Sequence, residues 1–253
     1  MKHTLSVLLF CLLAGLAVPA AQAGQVLVAV AANFAEVVDR LKPQFERQTG
    51  HVLVSTTGST GKLYAQIKAG APFQVMLSAD VATPLRLERE GAAVAGTRFT
   101  YAVGKLALWS RSPGVVAADG SATLRGGQFR HIAIANPALA PYGVAAREVM
   151  QATGTWQALQ PKMVMGENIG QAHSMVASGA AEVGFVALSA VQSLRAPAGG
   201  SHWEVPQSMY TPLQQDAVLL NPGRNSVAAR AWLAFLQTPS ARQLIQSYGY
   251  GVE

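Results

Sequence analysis

Two strand-to-helix junctions carry small uncharged polar residues at positions suited to holding an anion. The first apolar run, 26–32, is followed by Asn33, and the second, 52–54, leads to Ser59 and Thr60. We expect these residues to lie at helix N-termini, where free backbone N–H groups and the positive end of the helix dipole point outward. Two such termini side by side form an anion site without a charged side chain. The pattern therefore indicates an anion-binding protein rather than a catalyst.

The same residues do not fit the catalytic patterns that they superficially suggest. A phosphate-binding P-loop needs four residues between its glycines and Ser or Thr after the lysine. Here two residues separate Gly58 from Gly61, and Leu63 follows Lys62. A nucleophile elbow needs glycine two residues before the serine, where this chain has Thr57. No Ser–His–Asp, Cys–His or metal-ligand spacing is evident elsewhere, so we expect no enzyme activity, no cofactor and no directly coordinated metal cation.

The N-terminal segment predicts export. Residues 1–23 begin with a short positive stretch, continue with an apolar run over 5–18, and end in Ala-Gln-Ala at 21–23. This is the pattern of a signal peptide cleaved near Ala23, and its apolar run is too short to span a membrane. The single cysteine, Cys11, lies within it and follows the bulky Phe10, which argues against a lipoprotein anchor. We therefore expect a periplasmic protein without disulfides or a stable membrane insertion.

Charge and composition exclude two further classes of protein. Charged residues make up only 13% of the chain, with 19 basic and 13 acidic side chains and a formal net charge of +6. The basic residues are scattered rather than clustered among aromatic residues, so we expect no nucleic-acid partner. The low charge and the abundance of apolar residues favour a folded rather than a disordered chain. A mild positive field is compatible with an anionic ligand.

Strands and helices alternate along the chain, which predicts an α/β fold. The helix after the first strand carries a buried apolar face and stops at Gly50, and the strand pattern restarts at 131–135. Alternation at this spacing predicts mostly parallel sheets flanked by helices. Ligands of such sheets bind beyond the carboxyl ends of the strands, which is where the polar junctions fall. We expect two such units with a ligand between them.

Several short segments, in this order, resemble the periplasmic molybdate-binding proteins of ABC importers. They are Ala31-Ala32-Asn33-Phe34, Gly58-Ser59-Thr60-Gly61, Ser78-Ala79-Asp80, Pro141-Tyr142-Gly143 and Gly170-Gln171-Ala172. The resemblance covers nearly the whole chain after the signal peptide. It implies a two-lobed type II binding fold, with lobe I over 24–102 and 212–253 and lobe II over 103–211. It also implies a monomer that captures molybdate or tungstate in the interlobe cleft and delivers it to a membrane permease.

The resemblance also implies which residues hold the oxyanion. Members of that family bind the oxyanion with neutral donors only. The matching positions in this chain are Asn33, Thr60, Tyr142 and Ile169, with Ala32 and Ser59 as additional candidates. Ile169 would contribute its backbone N–H group. Some members have a ligand tyrosine where this chain has Ala187, and we expect the phenol of Tyr142 to replace it, its hydroxyl exposed to water in an open cleft.

Three alternatives remain open at the level of sequence. The first is a receptor for another tetrahedral oxyanion, chiefly sulfate, because sulfate, molybdate and tungstate share charge and shape. The second is an exported α/β hydrolase, which the missing catalytic constellation disfavours. The third is a two-lobed sensory or scaffold subunit that binds nothing. Parallel titrations with the three oxyanions would separate these possibilities.

Overall fold

The computed structural model describes residues 23–193 and 200–252. The predicted signal peptide therefore lies outside the described residues except for Ala23. Most of the Pro/Gly-rich segment near 196–201 lies outside them as well. Within the described ranges, no helix combines the length and the apolar character needed to cross a membrane.

The described strands form two five-stranded sheets. The first sheet has the order β2-β1-β3-β10-β4, and the second has the order β7-β6-β8-β5-β9. The strands are β1 Gln25–Ala31, β2 Val52–Gly58, β3 Val75–Leu77, β4 Phe99–Gly104, β5 Leu106–Ser110, β6 Ile132–Ala135, β7 Met163–Gly166, β8 Val183–Ala187, β9 Ser201–Glu204 and β10 Leu213–Leu219.

Helices flank both sheets, and short 3-10 turns connect some of them. The helices are α1 Ala35–Thr49, α2 Thr60–Lys68, α3 Ala82–Arg89, α4 Gly120–Gly126, α5 Pro141–Ala152, α6 Trp156–Leu159, α7 Ile169–Ser178, α8 Leu188–Gln192, α9 Val227–Leu236 and α10 Pro239–Ser247. The 3-10 turns are Ala32–Phe34, Gln160–Lys162, Gln207–Met209 and Asn221–Gly223.

Both sheets contain parallel and antiparallel strands, whereas the sequence pattern predicted mostly parallel sheets. In the first sheet β1 runs parallel to β2 and β3, whereas β10 runs antiparallel to β3 and β4. The second sheet repeats this arrangement around β6, β8 and β5. The antiparallel strand of each sheet, β10 in the first and β5 in the second, is the strand by which the chain enters that sheet from the other. The chain leaves the first sheet through β4, enters the second through β5 across Lys105, and returns through β10.

Helix α1 shows how local sequence builds the first unit. Its apolar residues Val37, Val38, Leu41 and Phe45 recur at helical spacing and are all buried. The helix ends where Gly50 takes the left-handed conformation with φ 70°, which glycine adopts without a steric cost. Pro43 lies inside the helix without ending it. The buried face fixes the helix against the sheet, and with it the junction at its N-terminus.

The carboxyl ends of the central strands in the two sheets face each other. Contacts cross the gap between them: the backbone N–H of Gly61 donates to the carbonyl of Leu139 at 2.9 Å, and Lys62 lies 3.0 Å from the carboxylate of Glu167. The strands β1, β2 and β7 therefore direct the N-termini of the helices that follow them toward the same region, as does the loop after β6.

Candidate functional site

A small cavity lies where the N-termini of four helical segments meet. Two of them, the 3-10 turn before α1 and the start of α2, belong to the first sheet, and α5 and α7 pack on the second. The residues that line it are Ala31, Ala32, Asn33, Gly58, Ser59, Thr60, Ala79, Ala140, Pro141, Tyr142, Asn168 and Ile169. The structure thus brings all six residues proposed from sequence to one place.

The cavity is neutral in its side chains and positive in its backbone. None of the lining residues is Lys, Arg, Asp, Glu or His. Each helix start instead presents backbone N–H groups without intrahelical partners, together with the positive end of its dipole. The space between the lining residues is small. Converging N–H groups around a small neutral space suit a compact anion better than a peptide, a sugar or a nucleotide.

A larger groove of about 590 Å³ borders this cavity and shares some of its lining. Its wall includes the charged side chains of Asp80, Arg86 and Glu148 together with exposed loop residues. Charges of both signs give the groove no consistent preference for an anion. The smaller cavity, at which the helix N-termini converge, is therefore the better candidate.

Residues Ser59 and Thr60 hold the start of α2 and turn a hydroxyl toward the cavity. The Oγ of Ser59 accepts a hydrogen bond from the backbone N–H of Lys62 at 3.4 Å, which makes Ser59 the predicted N-cap. The Oγ1 of Thr60 accepts from the backbone N–H of Ala79 at 3.1 Å. Because a hydroxyl has one proton and two acceptor positions, Thr60 keeps its proton for another partner.

Asn33 lies at a helix N-terminus, as expected, but its side chain does not cap the helix. It lies inside the 3-10 turn, whose N-cap is Ala31 without a side-chain bond. Its amide nitrogen Nδ2 donates to Oε1 of Gln215 at 2.9 Å and to Oη of Tyr250 at 3.1 Å. Both amide hydrogens are thus used within the protein. A cap residue and a residue in a tertiary network look alike in sequence, because both are polar and precede a helix.

Tyr142, the second residue of α5, is buried at the edge of the cavity with 1% of its surface exposed. Its Oη accepts a hydrogen bond from Nε2 of Gln215 at 3.2 Å. Burial raises the pKa of Tyr142 well above its ordinary value of 10.0, so the phenol stays protonated. The expectation of a hydroxyl exposed to water in an open cleft is therefore wrong for this structure, in which loops of both sheets enclose it.

Ile169 is the first residue of α7, where its backbone N–H group has no partner within the helix. The preceding residue, Asn168, caps the helix by accepting from the backbone N–H of Gln171 at 3.0 Å. The side chain of Ile169 is buried, with 4% exposed. Ala187 ends β8 and is absent from the residues that line the cavity.

The structure adds polar residues that sequence reasoning missed. The Oη of Tyr250 donates to the backbone carbonyl of Asn33 at 2.7 Å and bonds the hydroxyl of Ser189 at 3.0 Å. The Oη of Tyr101 lies 3.1 Å from Oε1 of Gln215. Gln215 was detectable in principle, since a polar run at 214–216 interrupts an otherwise apolar strand.

Comparison with known proteins identifies the family to which the chain belongs. The model of the family described as bacterial extracellular solute-binding protein matches residues 26–251. The chain belongs to this family. It is 50% identical over 253 residues to the molybdate-binding protein ModA of Azotobacter vinelandii, covering all of both chains. It is also 50% identical over 242 residues to that of Rhodobacter capsulatus, covering 96% of this chain and 94% of the relative.

Solved structures agree with this solute-binding family. The Azotobacter vinelandii periplasmic molybdate-binding protein superposes with a TM-score of 0.86 at 42% sequence identity, covering 90% of this chain and 99% of that chain. The expected two-lobed binding-protein fold is thereby confirmed. Within the described parts of this solute-binding protein, no group of three or more His, Cys, Asp or Glu side chains is placed to hold a metal ion.

Proposed function

We propose that this protein captures molybdate, or tungstate, in the cavity between its two sheets and delivers it to an ABC permease. The observation that carries the proposal is the cavity itself, which four helix N-termini surround and no charged side chain lines. A dianion there meets only neutral donors, so no second ion has to be buried beside it. The names of the relatives supply the identity of the oxyanion. The chain acts as a carrier and not as an enzyme.

We assign the oxyanion contacts to two kinds of donor. The hydroxyls of Thr60 and Tyr142 have their acceptor sides occupied by N–H groups, so each has a proton to donate. Asn33 and Ile169 contribute backbone N–H groups at their helix starts, because the amide hydrogens of Asn33 are already used. The backbone of Ala32 and Ser59 completes the set. Hydrogen bonds to an ionised acceptor are roughly twice as strong as neutral ones.

The lobes follow the two sheets in this proposal. Lobe I contains the first sheet and lobe II the second, with crossings at Lys105 and between Glu204 and Leu213. These crossings support the division predicted from sequence. The protein is periplasmic, it is cleaved near Ala23, and it works as a monomer that closes its lobes on one anion.

Calorimetric and thermal titrations of the mature chain, starting at Gly24, test this function. Molybdate and tungstate should each bind one site with a sub-micromolar Kd, and each should raise the melting temperature. Binding to the folded state alone stabilises it by about 2.7 kcal/mol when the ligand is at a hundredfold excess over Kd. A folded protein whose melting temperature responds to neither anion would refute the proposal. A response to sulfate alone would instead identify a sulfate receptor.

A further inference from the structure

A chain of hydrogen bonds between mostly buried side chains runs from the backbone carbonyl of Asn33, which is partly exposed, to the phenol of Tyr142. It passes through Tyr250, the amide of Asn33 and the amide of Gln215, with distances of 2.7 to 3.2 Å between successive partners. Gln215 is fully buried, and Tyr142 and Tyr250 expose no more than 4% of their surfaces. In such an interior every donor needs an acceptor, so each bond constrains the direction of the next.

The direction of the chain follows from its first member, which can only accept. The carbonyl of Asn33 has no proton, so Tyr250 must donate to it. Tyr250 then has no proton left, and the amide atom of Asn33 beside it must be the nitrogen Nδ2. The same nitrogen faces Gln215, which must therefore present Oε1 to it. Nε2 of Gln215 is left to face Tyr142, so the phenol oxygen accepts.

A phenol that accepts from Gln215 keeps its own proton for another partner. An alternative acceptor for this proton is the oxygen of Tyr250. Burial raises the pKa of Tyr250 to about 12, and hydrogen bonds from Ser189, Asn33 and Tyr142 lower it. That oxygen already accepts from Asn33 and, because its proton is used, from Ser189. A dianion in the adjacent cavity is a stronger acceptor than a phenol whose acceptor positions are filled.

The backbone around Gln215 is shaped to place this amide. The pairing of β10 with β4 shifts register between Gln215 and Asp216, because Tyr101 forms a bulge on β4 between their partners Ala102 and Thr100. Successive side chains of β10 point to opposite faces of the sheet, and residues 215–219 are all buried, so both faces are covered here. Asp216 is bound by Arg98 and Thr100 on one side of the bulge. Gln215, which points to the opposite face, bonds both Asn33 in the turn after β1 and Tyr142 of α5.

We propose that Gln215 is a positioning residue that orients the phenolic proton of Tyr142 toward the bound oxyanion. The inference rests on the proposed function and extends it to a residue that does not line the cavity. Gln215 acts by occupying the acceptor side of the phenol, and its bond to Tyr142 also joins the two sheets when they close. The amide is required for this role because it donates on one end and accepts on the other.

Molybdate titrations of three proteins test this role: the wild type, Gln215→Met and Gln215→Glu. Gln215→Met keeps the side-chain length but loses both hydrogen bonds, and its affinity should fall about tenfold at every pH. In Gln215→Glu the ionised carboxyl only accepts, so it draws the phenolic proton away and repels the dianion. Once protonated, the carboxyl again donates on one side and accepts on the other. Since burial raises a carboxyl pKa, affinity should recover between about pH 8.5 and pH 5.5.

A double-mutant cycle with Tyr142→Phe separates orientation from packing. If Gln215 acts through the phenolic proton, Gln215→Met should weaken binding much less in the Tyr142→Phe background than in the wild type. The exposed neighbour on β10 supplies the matched control, and Gln214→Met should bind like the wild type.

The outcomes distinguish this inference from the function on which it rests. No binding of molybdate by the folded wild type refutes the proposed function. Binding by the wild type with equal affinity in Gln215→Met overturns the positioning role alone, as do additive losses in the cycle. If Gln215→Met does not fold, Gln215→Glu decides: affinity that stays low at every pH overturns the role, and recovery on acidification supports it.

Discussion

Tyr142→Phe removes one oxygen atom from the candidate site and keeps the ring that packs around it. In this structure that oxygen accepts from Nε2 of Gln215 at 3.2 Å, across the boundary between the two sheets. In the proposed complex the same hydroxyl also donates to the oxyanion. The variant therefore loses one neutral hydrogen bond that forms on closure and one charge-assisted bond to the ligand.

The size of the effect follows from these two bonds. A neutral hydrogen bond contributes about 0.5–1.5 kcal/mol and one to a charged group about 1.5–3 kcal/mol. Their combined loss should weaken molybdate binding by about 2–4.5 kcal/mol. This corresponds to a Kd that is roughly 30-fold to 2,000-fold higher. Most of the change should appear as faster dissociation, because the lost bonds hold the closed state together.

Calorimetry gives the affinity and stopped-flow gives the dissociation rate of this variant. Tyr210→Phe is the matched control, since Tyr210 is also buried and its Oη accepts from the backbone N–H of Leu106 at 3.2 Å, away from the cavity. The control should lose stability but not affinity. Unchanged affinity and dissociation in Tyr142→Phe would refute the assignment of this phenol to the ligand. Equal losses of affinity in both variants would indicate a general packing effect.

Four further predictions concern the same cavity. Thr60→Val removes a hydroxyl at nearly constant shape and should weaken molybdate binding by about 1.5–3 kcal/mol in calorimetry. Thr60→Ser, which keeps the hydroxyl, should lose much less affinity. If Thr60→Val binds as tightly as the wild type, this hydroxyl does not contact the ligand. Burial raises the pKa of Tyr142 well above 10.0 and that of Tyr250 to about 12. Molybdate titrations should therefore give the same affinity from about pH 6.5 to pH 9. A change of affinity with a midpoint inside that range would contradict a protonated phenol as donor. Because these folded pKa values are raised, the free energy of unfolding should be unaffected by them below about pH 10 and should fall as the pH rises toward about 12. Gly104→Ala places a Cβ against the hydroxyl of Tyr142 and should reduce molybdate affinity at least about tenfold in calorimetry. Gly126→Ala is the control, because a Cβ there meets open space and should leave the affinity unchanged. Tight binding by Gly104→Ala would show that the phenol can move freely.

Sequence predicted those parts of the fold and site that depend on neighbouring residues. Gly50 ends α1 and Ser59 caps α2, as expected, because capping is a local property of a few residues. The carboxyl ends of the parallel strands lead to the polar junctions, since strand alternation fixes where such loops fall. Resemblance to a family then added Tyr142 and Ile169, for which spacing alone gives no reason.

The polar network around the site could not be read from local pattern. Asn33 is separated by 182 residues from Gln215 and by 217 from Tyr250, its two side-chain partners. Nothing in the neighbourhood of Asn33 distinguishes a residue that caps its own helix from one that reaches across the sheet. The burial of Tyr142 likewise depends on how closely the two sheets approach, which is a property of the whole fold. The mixed sheets follow from the two crossings of the chain, which alternation of strands and helices does not reveal.

A crystal structure of the mature protein with molybdate, located by anomalous scattering from molybdenum, tests the central claim most directly. One molybdenum peak should appear in the small cavity between the helix starts. Its oxygens should lie about 2.7–3.2 Å from the hydroxyls of Thr60 and Tyr142 and from the backbone nitrogens of Asn33 and Ile169, without a lysine or arginine contact. A peak in the larger groove beside Arg86, or an oxyanion held by a charged side chain, would contradict that claim.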